Sequence, residues 1–344
     1  MEEMKKITIA IINWNGIGWL KKTLPKIIEY SKEANIVLID NNSDDKSIPF
    51  TKKNFKKIKI INNEKNYGFA KGYNKAIKEI KSKYILLLNN DVLVTKNWLK
   101  PLITFLESNK KFSVVQPKIK DLNNKKYFEY SGAAGGFIDF FGIPFCRGRI
   151  GNKVEKDTGQ YNDSSEIFWG SGSCLLIKID TFKKIGGFDE NFFMHQEEID
   201  LCWRIQGIGQ KIGYCSKSTV YHHGGGTLTK WNYKKTFYNH RNNLLMLFKN
   251  LKISDFMLII INRFLIDVLI SFYYLIKLNF IHSIMVYIAY FSFFFMIPKY
   301  LFINKKKSEI RNPIQCEVKG RYNINIILIS IFRLEIFKKN NRKC

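Results

Sequence analysis

The chain predicts an α/β protein built on a Rossmann-like, mostly parallel sheet flanked by helices. Three observations point there. Short β-branched runs alternate with helical stretches over the first 115 residues. The runs are apolar throughout rather than at every second position, as strands buried on both faces must be. The runs then stop abruptly in amides and carboxylates, most visibly in "LLLNND" at 86–91.

Taken in order, "KITIAIIN" (6–13) reads as the first strand, because isoleucine and threonine suit a pleated, buried surface and "NWNG" follows at once. Trp19–Tyr30 reads as a helix, "NIVLID" (35–40) as a strand, "KIKIIN" (57–62) as a strand, Ala70–Ile80 as a helix and "YILLLNN" (84–90) as a strand. Strands joined through helices lie parallel. In such open sheets a ligand sits beyond the carboxyl ends of the strands, where several loops converge. Those ends carry Asn13, Trp14, Asn15 and Gly16 after the first strand, Asp40, Asn41, Asn42, Ser43 and Asp44 after the second, and Asn89, Asn90 and Asp91 after the 84–90 strand. Such side chains on one edge suit a base, a ribose and a cation. Taken singly, "DNNSDD" and "NNDV" also read as turns and helix caps.

With 344 residues and 46% apolar content the chain can bury a core of one large domain or two modest ones. Its net charge of +27 comes from lysines scattered along the whole length, which reads as dispersed solvated charge; a basic surface for anionic lipid or nucleic acid is the alternative. The six cysteines form no CxxC pair, which argues against a zinc site or a disulfide framework and fits a reducing compartment. "MEEMKKITIAIINW" has two lysines before an apolar run, but the run is short and lacks a small-residue cleavage site, so it reads as a strand rather than a signal peptide.

The motifs "IAIINWNG", "IVLIDNNSDD", "NEKNYGFAKGYNKAI", "YILLLNNDVLV" and "GGFDENFFMHQEEIDLCWR" occur in this order. Over about residues 6–245 the chain thereby resembles the family 2 glycosyltransferases of GT-A fold, most closely their bacterial rhamnosyltransferase-like branch. The resemblance implies a nucleotide-diphosphate sugar as donor, contacts from Asp40 to base or ribose, and Asp91 as ligand of Mg2+ or Mn2+. A divalent cation bridging two phosphates wants hard oxygen ligands, and a carboxylate at a rigid strand end supplies one. Asn89 stands where a first aspartate of a fuller DxD pattern would be, so Asp91 needs help from pyrophosphate, water or a histidine. In "VYHHGGGT" (220–227) the resemblance points to His222, ahead of His223, for that role.

"NYGFAKGYN" (66–74) opens a helix with Gly68 and Gly72. Backbone N–H groups there would face a phosphate, with Asn66, Lys71 and Asn74 nearby, or the glycines permit close helix–strand packing. "WGSGSCLLIK" (169–178) resembles the family's strand behind the acceptor site, with Gly170, Ser171 and Gly172 as a thin-walled loop; a plain turn is the other reading. No GxSxG elbow accompanies Ser171, so it is no nucleophile.

A helix starting near Gln196 puts Glu198 on the side of Leu201, Cys202 and Ile205, with Asp200 and Arg204 facing away together. A carboxylate aimed at an apolar interior must be paired, protonated or at work. Glu198 falls where the family's catalytic acid stands, as the second member of the pair with Glu197, and is expected to be the base that activates an acceptor hydroxyl in a single, inverting displacement. The simpler reading is that both acids favour the positive helix N-terminus. "YNHRNNLLMLFKN" (238–250) matches the family's Arg-Asn helix, in which Arg241 faces phosphates or forms a core salt bridge.

After Asn250 the composition changes. "FMLIIINRFLIDVLISFYYLI" is interrupted by Arg263 and Asp267, whereas "FIHSIMVYIAYFSFFFMI" (280–297) has no formal charge across 18 residues and precedes lysines 305–307. This reads as an interfacial helical pair or shallow hairpin on the cytoplasmic membrane face, with an aromatic dimer interface as the alternative. The expected organisation is a catalytic domain over 1–250, with a nucleotide-sugar half (1–115) and an acceptor half (116–250), a membrane-associated region over 251–303 and a basic tail over 304–344. The expected activity transfers a sugar, rhamnose as first guess, to a lipid-linked or growing surface-glycan acceptor. A nucleotidyltransferase would want a Gly-rich, Lys/Arg-containing loop after the first strand, of which "NWNGIGWLKK" is a loose version, and no nucleic-acid recognition motif appears.

Overall fold

The computed structural model describes residues 5–224, 232–307, 320–322 and 326. Four strands of the first half pair in parallel: β1 (Ile7–Asn13), β2 (Ala34–Asp40), β3 (Lys59–Asn62) and β4 (Tyr84–Asn89). They are followed by β5 (Val92–Val94) and β6 (Phe112–Asp121). A small antiparallel sheet of β7 (Gly136–Asp139), β8 (Pro144–Cys146), β9 (Arg149–Ile150) and β10 (Lys153–Val154) comes next. Then β11 (Ser165–Ile167), β12 (Cys174–Lys178) and β13 (Lys211–His222) complete the main sheet, whose order is β11-β13-β6-β12-β4-β1-β2-β3 with β5 paired to β13. The expected mostly parallel sheet is thus found, with β12 entering antiparallel between β4 and β6.

The continuous apolar strands are explained by cover on both sides. Alternate residues of β4 point to opposite cores: Leu86 and Leu88 pack with helix α1 (Ile17–Tyr30), and Ile85 and Leu87 join the core that holds Ala70 and Tyr73. Three further helices of this half are α2 (Ser47–Asn54), α3 (Gly68–Ile77) and α4 (Leu99–Ser108). The 70–80 helix thus begins and ends earlier than its sequence suggests. The second half adds α5 (Ile179–Lys184), α6 (Glu197–Gly207) and α7 (Tyr233–Asn250).

Beyond α7 the chain forms an antiparallel pair, α8 (Ile253–Ile276) and α9 (Phe280–Lys307), each long and apolar enough to cross a bilayer. Its polarity is inverted relative to a surface helix. The inner stripe carries Arg263, Asp267, Ser271, Ser283 and Tyr290, all buried, while Leu258, Leu265, Leu269, Phe291 and Phe295 are exposed. Asp267 accepts from Tyr290 Oη at 2.8 Å and meets Arg263 at 3.1 Å and His240 of α7 at 3.2 Å. Helix α9 touches the rest of the protein at both ends. His282 Nδ1 lies 2.7 Å from Thr236 Oγ1, and Lys299 Nζ and Tyr300 Oη donate to Asn191 and Asp189 at 2.6 and 2.9 Å. A helix held at two points about 27 Å apart lies along its domain rather than projecting from it.

Part of the expected basic tail turns back: β14 (Arg321–Tyr322) pairs in parallel with β7 and the Ile326 amide donates to Asp139. The remainder of 308–344, with its apolar stretch "INIILISIF", and the side chains of lysines 305–307 lie outside the described residues.

Candidate active site

Strand register assembles one polar edge. Asn13 pairs with Asp40, Asp40 with Asn62 and Ile12 with Asn89, so β1, β2, β3 and β4 end at one level. Cys174, the first residue of β12, lies opposite Leu88, which brings the 170–173 loop there too. His222 ends β13 opposite Val92, beside Asp91. Six segments of the chain therefore meet at this edge.

Asn13 is the buried joint between three of them. Its amide donates to Asp40 at 3.0 Å and Ser43 Oγ at 3.1 Å, and its oxygen accepts from Asn90 at 2.8 Å. Asp40 also accepts from the Ser43 amide and hydroxyl at 2.8 and 2.6 Å. Asn15, in the left-handed region with Asn42, accepts from the Asp44 amide at 2.9 Å, and its own amide donates to Ser43. The β2 turn is thus held open by its own acid and amides, with Asn42 exposed above it.

Asp91 and His222 form the second group. His222 Nε2 lies 3.2 Å from Asp91 Oδ1 and 3.5 Å from Asn89 Nδ2, while Nδ1 lies 3.4 Å from Glu129 Oε1. All three titratable groups are buried. Burial alone would push the His222 imidazole down and the Asp91 carboxyl up. Their mutual attraction, with that of Glu129, outweighs burial: the imidazole rises to about 10 and the Asp91 carboxyl stays below the usual carboxylate range. Two acids here want one positive charge between them. One carboxylate oxygen and one imidazole nitrogen suit a divalent cation as two of its ligands, and Glu129 would fix the ring from behind. Among the described residues no three acidic, histidine or cysteine side chains converge as a closed metal cage. The His223 ring lies tilted against Trp19 at 4.5 Å, while its backbone amide donates to the Asp91 carbonyl at 3.3 Å.

The third group is the acidic start of α6. Glu198 is partly exposed and accepts from the Gly172 amide, whereas Glu197 is buried. The Oε2 atoms of both carboxylates are enclosed and without a hydrogen-bond partner. Burial pushes the Glu198 carboxyl up to about 7, against the backbone amides that lower it; burial and the Glu198 charge also raise Glu197. Contacts link this acid to the cation pair: Ser173, beside Gly172, accepts from the Asn89 amide at 2.9 Å, and Asn89 reaches His222. The expectation that Asp200 and Arg204 face away from the interior is corrected. Asp200 is fully buried, pairing with Arg204 at 2.8 Å and Lys249 at 2.9 Å, because α7 covers the second face of α6.

Glu198 owes its position to a strained approach. Phe193, His195 and Gln196 all have positive φ, which costs of order 1 kcal/mol or more each without glycine. The fully buried Asn242 amide donates to the carbonyls of Phe192, Met194 and His195 at 2.8–2.9 Å and holds that loop. "HRNN" was legible as a motif, but its asparagine role was not.

Several residues expected at the donor do other work. The Gly68 amide donates to Asn66 Oδ1 at 2.9 Å, and Phe69 and Ala70 both donate to the Phe193 carbonyl, so the first amides of α3 are taken. Gly68 has φ +72° and a Cβ there would strike Phe193; one at Gly72 would strike Ile12. Of the two readings of these glycines, close packing is the one realised. Asn74 brackets the Phe188 backbone at 2.8 and 2.9 Å, and Lys71 pairs with Glu190 at 3.4 Å. Arg241 donates to the Asn191 carbonyl at 2.9 Å, beside the Phe237 and Tyr238 rings. Gly170 and Gly172 pack against Leu175 and Phe69, and Ser171, held by Gln116 at 2.8 Å, is buried beneath the loop.

A family model described as "Glycosyl transferase family 2" matches residues 8–186. The rhamnosyltransferase WbbL of Escherichia coli is 25% identical over 245 residues, which is 67% of this chain and 91% of that protein. The N-acetylglucosaminyl-diphospho-decaprenol L-rhamnosyltransferase of Mycobacterium tuberculosis is 23% identical over 207 residues, 56% of this chain and 67% of that one. Among solved structures, GalNAc-T7 with UDP, GalNAc and Mn2+ superposes with a TM-score of 0.58 at 18% identity, over 72% of this chain and 48% of that one.

Proposed function

This chain belongs to glycosyl transferase family 2 and has the GT-A fold, and from that premise we propose an inverting, metal-assisted transfer of a sugar from a nucleotide-diphosphate donor to a lipid-linked or growing surface-glycan acceptor. The observation that carries the reading is the short contact path from Glu198 through Gly172, Ser173 and Asn89 to His222 and Asp91. It supports reading Glu198 as a base that works beside a cation pair.

In this reading the donor's base and ribose lie over Asn13, Asn15, Asp40 and Asn42, and its diphosphate lies toward Asp91 and His222. A divalent cation, Mn2+ or Mg2+, would neutralise charge on the departing diphosphate. Glu198 takes the proton of the acceptor hydroxyl as that oxygen bonds to the anomeric carbon and the bond to the diphosphate breaks. One base and one displacement invert the anomeric configuration. A carboxyl raised to about 7 is a stronger base than an ordinary glutamate and is still largely ionised just above neutrality. Gly172 steers it, and burial together with the Glu198 charge raises the neighbouring Glu197 carboxyl.

Rhamnose is the first donor sugar to try, since two relatives carry rhamnosyltransferase names. Residues 1–250 would form the catalytic unit and 251–303 the membrane-associated one, on the cytoplasmic face. Replacing Glu198 by Gln tests the central assignment: transfer should fall by at least about 100-fold while Mn2+-dependent binding of the donor nucleotide persists. Retained transfer would remove Glu198 from the base role.

A further inference from the structure

A cavity of about 780 Å3 lies between the catalytic edge and the turn of the helical pair. Its size falls in the range of ligand pockets, of order 300–1,000 Å3. Its lining changes sign along its length. Asp121, Glu129 and His223 lie at the end next to the cation pair, whereas Lys235 and Thr236 of α7 and Lys277 and His282 at the α8–α9 turn lie at the other. Glu129 ties the acidic end to His222 at 3.4 Å. Past the cationic end the chain turns apolar and exposed, at Phe272, Ile276, Leu278, Phe280 and Ile281.

Acid, cation and exposed apolar surface in that order match a molecule with a sugar at one end, an anionic link in the middle and a hydrocarbon tail. We propose that this cavity binds the phosphate or diphosphate ester of a membrane-anchored acceptor, with Lys235 and Lys277 as its cationic contacts and the α8–α9 turn set at the lipid surface. The proposal rests on the glycosyltransferase reading and adds to it the residues that would recognise the acceptor. The turn is fixed relative to the catalytic edge by the 2.7 Å contact of His282 with Thr236, so an ester bound there presents its sugar toward the Glu129 end. Arg149, buried beneath Tyr130 at 4.5 Å, adds positive charge under the same floor.

The test uses the full chain and flotation with phosphatidylcholine vesicles, alone, with a polyprenyl diphosphate, or with phosphatidylglycerol at matched charge. The polyprenyl diphosphate should tighten binding at least tenfold over phosphatidylcholine and well beyond phosphatidylglycerol. Lys235→Gln and Lys277→Gln should each remove about fivefold of that gain, the effect of about 1 kcal/mol of charge attraction per lysine. Equal gains from both anionic lipids, or a gain untouched by either substitution, would overturn the proposal. Thermal protection by inorganic pyrophosphate without any gain from the lipid would assign the cavity to a soluble phosphate and overturn it as well. Binding of dTDP with Mn2+ to the unaltered chain, measured alongside, tests the donor reading separately, so failure of one is told from failure of the other.

Discussion

At the scale of single residues, the least conspicuous member of the site is Glu129. It lies in "KKYFEYSG", a stretch with no recognisable pattern, and reaches His222 across 93 positions of chain. Such a contact is not legible in sequence, because nothing local distinguishes a glutamate that will meet a histidine on another strand. Its physical role follows from position: a carboxylate behind an imidazole fixes the ring and raises its basicity as a ligand. Glu129→Gln should weaken Mn2+ binding by about 10–100-fold, read by titration calorimetry with dTDP present, while nucleotide binding without metal changes little. Unaltered Mn2+ affinity would show that Asp91 and His222 do not need the support. Asp91, by contrast, stands out in the sequence, since a carboxylate closing an apolar strand has few reasons to be there. The amides of 66–74 misled for the opposite reason: phosphate cradles and tight packing ask for the same glycines, and only the Phe193 carbonyl, from another part of the chain, separates the two.

At the scale of elements, α6 matters most, because it carries the proposed base and is closed in on both sides. Its far face rests on a buried cluster in which Asp200 meets Arg204, Lys249 and Asn250, and Lys249 continues to Asp189 at 2.7 Å. Helical periodicity showed Asp200 and Arg204 on one face but not what covers it, since α7 is 26 residues further along the chain. Burial would raise both aspartates, but Lys249 holds both, and Arg204 holds Asp200, well below the ordinary carboxylate range. A carboxyl depressed by folding contributes stability that is fully present above its unfolded value of about 4 and fades as pH falls through the lower folded value. The melting temperature should therefore be flat on this account above about pH 5 and drop below about pH 4. Asp200→Ala should cost about 3–5 kcal/mol, because Lys249 and Arg204 lose a buried partner, and thermal melts at neutral pH would read it. A variant as stable as the parent would mean the cluster is not closed to water. The strand runs were easy to read for the converse reason: burial on two faces leaves a local apolar signature, whereas the antiparallel entry of β12 is a matter of pairing and leaves none.

At the scale of the whole molecule, the question is whether the helical pair carries the catalytic sheet to a membrane. Cutting the chain near residue 250 is a poor test, because α9 covers α7 and the cut would expose Leu244, Leu247 and Phe248 along with whatever apolar surface it removed. The inverted polarity of the helical pair offers a better one. Its buried stripe is tied to the catalytic unit through Asp267, His240 and Tyr290, while Leu265, Leu269 and Phe291 stand 59%, 69% and 66% exposed. An outward apolar face with an inward polar stripe is the arrangement a hydrocarbon medium favours and water does not. Since α9 is pinned at Thr236 and at Asp189, the pair would sink sideways into one leaflet rather than cross it. Leu265→Glu with Leu269→Glu should then release the protein from phosphatidylcholine vesicles in flotation, since a carboxylate carried into the acyl region costs about 2–3 kcal/mol. Mn2+-dependent dTDP binding should survive, because neither side chain touches the catalytic edge. Were the double variant to float as before, the outer face would belong to a protein partner, and the acceptor would have to reach Glu198 by another route than the bilayer surface.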